Sequence, residues 1–328
     1  MLLKFFKSNL PYVVLFIPIL GTILWLPSLF PELSFKQVGT QGTSSPLFQW
    51  LTTYLQYDYH LSVISALIII ILQSYLLIRL NFKYIFIENK TYLPAVLFVL
   101  FSSSIFIEQG LNATLLANLF VLFAFDRAFL ITKERRLFQR YFESGLFLGL
   151  AGLVYPPSLY FILIVWLTQV ILRSFNWREW LSTVIGVFVP LLFYFSIAYL
   201  KNNFEVSINS YLQLFVVSNS KTIALSTINK VALGLIAFLI LFALLSSLRI
   251  IGTKKVNSRK YFILFLWMLL LSIVIYFFTV TGGVDIIYFM AIPLSMIFSI
   301  FFIEIRSKFF AELLFTLLFL SIFTIIWF

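Results

Sequence analysis

The chain of 328 residues contains no cysteine and a single histidine, His60. Without thiols there is no disulfide, thiolate nucleophile or cysteine metal site, and one imidazole cannot build an iron or zinc centre that needs several. No metal and no cofactor are therefore expected. Charge is scarce as well: Asp, Glu, Lys and Arg make up 11% of the chain, where soluble domains carry about a quarter. No glycine-rich phosphate loop ending in Lys-Ser or Lys-Thr and no GxGxxG turn occurs, which removes the usual backbone cradles for a nucleotide. What is present is apolar, 62% hydrophobic and 20% aromatic. Runs of the roughly 20 residues needed to cross a bilayer recur along the whole length with short polar connections. The expected fold class is all-α, a polytopic transmembrane helical bundle forming a single membrane-embedded domain over residues 1–328.

The net charge of +11 would suggest nucleic acid in a soluble chain. Here the basic residues sit beside helix ends, where they meet anionic headgroups and set topology, and no aromatic-interleaved basic patch lies elsewhere. Membrane lipids are the expected partners and nucleic acid is not. The first apolar run, Tyr12 to Phe30 behind Lys4 and Lys7, imitates a signal peptide. It is too long for one and lacks a small-residue cleavage site, so it reads as a retained first helix.

Apolar runs against charged punctuation predict helices near 11–29, 59–80, 92–107, 113–131, 180–200, 230–249, 261–280, 286–303 and 309–327. Between the fourth and fifth of these lies an uncharged run from 144 to 172 with Tyr155-Pro156-Pro157-Ser158 near its centre. If this run is one kinked span, ten helices cross the membrane; if it turns back at the prolines, about eleven do. Placement of positive charge arbitrates, because short cytoplasmic loops carry the excess. With a hairpin and a cytoplasmic amino terminus, 19 of the 23 lysines and arginines fall inside, leaving Lys36, Lys201, Lys221 and Lys230 outside. With a single span the division falls to 13 against 10. Length agrees, since the run would rise roughly 43 Å as one helix, more than one span and less than two. The expectation is a short proline-split hairpin of two similar legs, its tip bordering a cavity open to the outside because lipid cannot satisfy a broken backbone. The carboxyl terminus then lies outside.

Chemistry has few places to reside. No charge falls near the middle of a predicted helix, which disfavours proton relays. Gln73, Ser102, Ser103, Ser104 and Asn118 read as hydrogen-bonding groups within or between packed helices. At the inner boundary, Asp126 with Arg127, and Glu304 with Arg306, Lys308 and Glu312, read as local charge pairs. On the outer side, Glu32, Asp58 and Glu108 lie where a low-dielectric neighbourhood can raise a carboxyl pKa for general acid or base work, and a lysine such as Lys36 or Lys201 can hold a phosphate. His60, Asn112 and Tyr155 are the other candidate substrate-binding residues there. Two longer outer connections, 30–58 and 201–229, are partly amphipathic. In the first, Phe48, Trp50, Leu51, Tyr54 and Leu55 fit an interfacial helix.

The whole chain resembles a family of bacterial integral membrane proteins that carries a domain-of-unknown-function label. Through EQGLNATLLANLFVLFAF and ESGLFLGLAGLVYPPSLYFILIVWL, residues 1–200 also resemble the seven-helix layout of GT-C type glycosyltransferases, with residues 201–328 adding an outer loop and four helices. That likeness implies a GT-C membrane fold in the bacterial inner membrane and transfer of sugar from a polyprenyl-phosphate donor on the outer face. It implies Glu32 or Asp58 as base, Glu108 as a second acid, and Lys36 or Lys201 on donor phosphate. The sequence departs from the class in offering only Glu32 soon after the first helix and no large outer domain. Two other readings stand beside it: a non-catalytic scaffold within a membrane-protein complex of the envelope, and a transporter of lipid or a small solute.

Because the chain lacks cysteine, single cysteines can map sides directly. Residues 135 and 202, replaced one at a time, are expected to react with a membrane-impermeant thiol reagent from opposite faces; reaction from the same face would remove the reversal at Pro156-Pro157.

Overall fold

The structure is a computed structural model that describes residues 2–7, 12–30, 45, 48, 59–104, 109–129, 137–173, 176–213, 215, 226–278, 286–305 and 307–327. Among them are thirteen α-helices and no strand: α1 Leu2–Lys7, α2 Tyr12–Leu29, α3 Tyr59–Tyr84, α4 Leu93–Ser103, α5 Ala113–Ala128, α6 Leu137–Val154, α7 Ile162–Leu172, α8 Trp177–Leu200, α9 Phe204–Gln213, α10 Thr227–Ile250, α11 Val256–Phe278, α12 Ile287–Glu304 and α13 Lys308–Trp327. Seven of these, α2, α3, α8, α10, α11, α12 and α13, contain stretches long and apolar enough to cross a membrane, while α4 and the segment Pro156–Leu172 are shorter apolar helices. The expected helices are all present. Of the proposed interfacial helix only Phe48 is described, and it is buried. The second outer connection contains α9.

Starts follow local chemistry. Asn112, Asn176 and Ser226 cap α5, α8 and α10 by accepting from Leu115 N, Arg178 N and Asn229 N. Pro94 lies in the first turn of α4, where its missing N–H is not needed.

Hydrogen bonds and ion pairs show which helix ends lie together. At one end Lys7 Nζ donates to Ile303 O (3.1 Å), Tyr261 OH to Phe129 O (2.9 Å) and Lys255 N to Glu88 (3.2 Å). Lys83 pairs with Asp126 (2.6 Å), Arg127 with Glu143 (3.1 Å) and Lys254 with Glu304. These contacts correct the expectation of local pairing. Acids and bases meet across helices because several helix ends converge in one layer, where Glu312 also accepts from Leu3 N at 3.2 Å. Among the described lysines and arginines, Lys201 and Lys230 alone sit at the opposite end.

The loop after α3 shows how firmly the charge-rich layer is tied. Ile85 has a positive φ of 52°, a conformation that costs a β-branched residue about 1–3 kcal/mol. Its carbonyl accepts from Ser258 Oγ (3.3 Å), and the ring of its neighbour Phe86 packs on Tyr261 (4.7 Å) and Phe265 (5.2 Å).

The proline segment reverses the chain. Ser182 Oγ donates to Phe138 O (2.8 Å), joining the start of α8 to the start of α6. Farther along, Gly145 meets Thr183 and Gly149 meets Val187 and Pro190, so α6 and α8 run parallel. Whatever joins them must return to its starting level, and Pro156–Leu172 does so. Tyr155 is extended, as a residue before proline prefers, and both prolines open a 3₁₀ turn, Pro156–Phe161, where no N–H is required. The two legs are unequal: α6 begins in the charged segment before the uncharged run, whereas α7 has 11 residues. Carbonyls orphaned where α6 stops are met by side chains, Gly152 O by Tyr211 OH (3.0 Å) and Val154 O by Ser45 Oγ (2.7 Å). Burial pushes the Tyr211 pKa well up, which keeps its hydroxyl protonated as a donor.

Close backbone approach between α6 and α8 depends on glycine. A Cβ on Gly145 would lie 2.1 Å from Thr183 O, and one on Gly186 2.3 Å from Phe142 O. Gly145→Val is expected to lower stability in detergent by about 1–3 kcal/mol, read as a fall in Tm. Gly234→Ala on α10, where a new methyl meets nothing within 4 Å, should be neutral or raise stability by about 0.5–1 kcal/mol.

Candidate functional site at the charge-poor end

Three helix ends are knotted together opposite the charged layer. Near the end of α2, Trp25 Nε1 donates to Ser103 Oγ (3.0 Å) and Ser28 Oγ donates to Gln109 Oε1 (2.8 Å). Gln109 Nε2 reaches Ser103 O (3.1 Å) and Leu24 O (3.4 Å), so this 5% exposed amide joins α2 to the α4–α5 connection. Leu111 N donates to Ser62 Oγ (3.1 Å), which adds the first turn of α3. One layer deeper, Gln73 Nε2 donates to Leu115 O (2.8 Å), and Asn118 Nδ2 donates to Gln73 Oε1 (3.3 Å) and Tyr288 O (3.0 Å). This second tier links α3, α5 and α12. The expectation of hydrogen bonds within or between helices matches all five partners: Gln73, Ser103 and Asn118 bind between helices, and Ser102 and Ser104 donate to Val99 O and Phe101 O of their own helix.

Glu32, Lys36, Asp58 and Glu108 lie outside the described residues. Their described neighbours in sequence are the knot itself: Ser28 before Glu32, Tyr59 to Ser62 after Asp58, and Gln109 after Glu108. His60 is exposed in the first turn of α3, its ring 5.7 Å from that of Tyr59. Asn112 is engaged by its capping role, accepting from Leu115 N (3.1 Å) and Thr114 Oγ1 (3.2 Å). Tyr155 and Lys201 belong to the other half of this end. Tyr155, expected beside an open cavity, is 4% exposed and packs on Phe289. Pro156, Pro157 and Ser158 are buried with it. Lys201 is exposed at the end of α8.

Sequence reasoning missed Ser28, Ser45, Ser62, Gln109 and Tyr211 as organising residues. The only local signal was a glutamine between two apolar helices in FIEQGLN. Its partners lie 6 to 85 positions away along the chain. Elsewhere the described residues enclose a cavity of about 40 Å³ at the charge-rich end, lined in part by Phe86, Glu88, Lys254, Ser258 and Glu304. That is room for a few waters at most. No group of three potential metal-binding His, Asp or Glu side chains occurs among the described residues.

A family model covers residues 47–328. The chain belongs to the family of unknown function DUF6427. No curated protein and no solved structure matches it. Within this DUF6427 chain the matched stretch includes Ser62, Gln109 and the proline break, whereas α2 with Ser28 precedes it.

Gln109→Leu removes three hydrogen bonds and strands buried partners. It is expected to destabilise the protein by about 2–4 kcal/mol, measured as a fall in Tm, with loss of the protection from labelling of a cysteine at position 103.

Proposed function

We propose that this DUF6427 protein crosses the bacterial inner membrane eleven times, with its charge-rich end in the cytoplasm. On that reading it transfers a sugar on the outer face from a polyprenyl-phosphate donor, using a GT-C type arrangement. Cytoplasmic placement is supported by the charge asymmetry between the two ends, since short inner loops carry the lysine and arginine excess. In this proposal the shorter helices α4, α5, α6 and α7 traverse together with the seven longer ones.

Catalysis rests on one observation: the hydrogen-bond knot ties together the sequence neighbours of Glu32, Asp58 and Glu108. In the proposed reaction Glu32 or Asp58 takes the proton of an acceptor hydroxyl as its oxygen bonds to the anomeric carbon. The bond from that carbon to the donor phosphate breaks, and polyprenyl phosphate departs with the bonding pair, held by Lys36 or Lys201. Glu108 is the second acid, with His60 and Asn112 at the margin. A scaffold in an envelope complex is the second reading. It is favoured by the engagement of Gln73, Ser103, Gln109 and Asn118 in bonds that fasten helices to one another.

Alanine at 32, 58 and 108 separately distinguishes the two. In membranes supplied with a labelled polyprenyl-phosphate sugar, loss of the base is expected to lower transfer by about 10²–10⁴-fold without moving Tm. Absence of transfer by the unaltered protein, or full transfer by all three variants, would favour the scaffold.

A further inference from the structure

We infer that one anionic phospholipid is held in a groove along α3, with its phosphate on Arg79 and an acyl chain beside Leu72 and Ile68. This rests on the protein's crossing a membrane and is independent of sugar transfer. The groove has a volume of about 420 Å³ and is lined by Ile68, Ile71, Leu72, Tyr75, Leu76 and Arg79. These positions recur every three or four residues and so form one stripe of the helix. Ile68 and Leu72 are exposed, as is Arg79 at the end of the stripe nearer the charged layer. The Tyr75 hydroxyl is already used, donating to Val14 O of α2 (3.4 Å). What remains is a hydrocarbon surface ending in one guanidinium, which is complementary to an amphiphile with an acidic head.

Depth sets Arg79 apart from the other basic residues of this end. It lies five residues, about 7.5 Å, before α3 stops at Tyr84. Lys83, one turn nearer that stop, reaches the charged layer and pairs with Asp126 (2.6 Å). Arg79 makes no ion pair among the described residues, and residues 8–11, which precede α2 in sequence, contain no acid. The described carboxylates of the charged layer are bonded elsewhere: Asp126 to Lys83, Glu143 to Arg127, Glu304 to Lys254, Glu88 to Lys255 N and Glu312 to Leu3 N. A guanidinium at the edge of hydrocarbon is costly unless it reaches a counter-charge, and a phosphate accepts two of its N–H groups at once. Length fits the chain of the same lipid. From Arg79 to Ile68 the groove follows eleven residues, about 17 Å of helix, close to the roughly 15 Å of hydrocarbon in one leaflet. A second copy packed through the same stripe, about an axis along the membrane normal, would instead bring like charges together at Arg79.

The test uses the full chain in phosphatidylcholine nanodiscs that contain phosphatidylglycerol as the minor lipid, and native mass spectrometry counts the lipid that stays bound. One phosphatidylglycerol per chain is expected to be retained in preference to phosphatidylcholine. Arg79→Gln should lower that retention about tenfold, the scale of one charge-assisted hydrogen bond. Leu72→Trp, which fills the groove and leaves the charge in place, should lower it about fourfold, the scale of one displaced methylene. Both positions are exposed, so Tm should stay unchanged in each variant. Arg249→Gln removes an exposed arginine of the same charged end that does not line the groove, and should leave retention as it was. Equal retention of the two lipids, an equal loss with Arg249→Gln, or full retention by Leu72→Trp would overturn the proposal. So would a dimer that Leu72→Trp disperses, which would assign the stripe to a second copy of the chain.

Discussion

A helix that stops in an apolar interior leaves carbonyls without partners, and the arrangement of this chain depends on how α6 meets that constraint. Tyr211 and Ser45, from segments 59 and 109 positions away, supply the missing donors at Gly152 and Val154. With those carbonyls satisfied, the chain turns at Pro156 and Pro157, descends through α7 and rises again as α8 alongside α6. Glycines let these parallel helices approach to backbone contact, where dispersion and short polar contacts replace the hydrophobic driving force that lipid removes.

The same reversal accounts for the charge distribution. Because α8 begins at the level of α6, the basic residues at the start of α8 and those between α10 and α11 join the layer that contains Lys7, Lys83 and Arg127. Ion pairs and aromatic contacts then bind this layer tightly enough to hold Ile85 in a strained backbone conformation. At the opposite end charge is sparse and fastening is by neutral groups. Gln109 is central there because a primary amide both donates and accepts, so one side chain can join α2 to the turn that follows α4.

Much of the helix map was legible because a bilayer imposes a length on every apolar run, and charged residues punctuate those runs. The prolines likewise announced a break, since proline lacks an N–H and constrains the residue before it. The division into two equal legs was not legible correctly, because α6 draws its first turns from the charged segment before the uncharged run. Nor was the pairing of Asp126 with Lys83 or Glu304 with Lys254, since charge spacing along one helix carries no information about which other helix ends nearby. For the candidate site, FIEQGLN marked a polar turn between apolar helices but gave no means of naming Ser28 and Ser62 as its partners.

By itself the amino-acid sequence determined an all-helical chain for a membrane, the positions of its helices and the location of a backbone break, all of which follow from properties of contiguous residues. Tertiary structure alone decided which carbonyls at the break are satisfied, which acids meet which bases, and which connections are bound into one knot. The reason is physical: hydropathy and backbone geometry act over a few neighbouring residues, whereas a hydrogen bond depends on distance and angle between groups that folding brings together from remote parts of the chain.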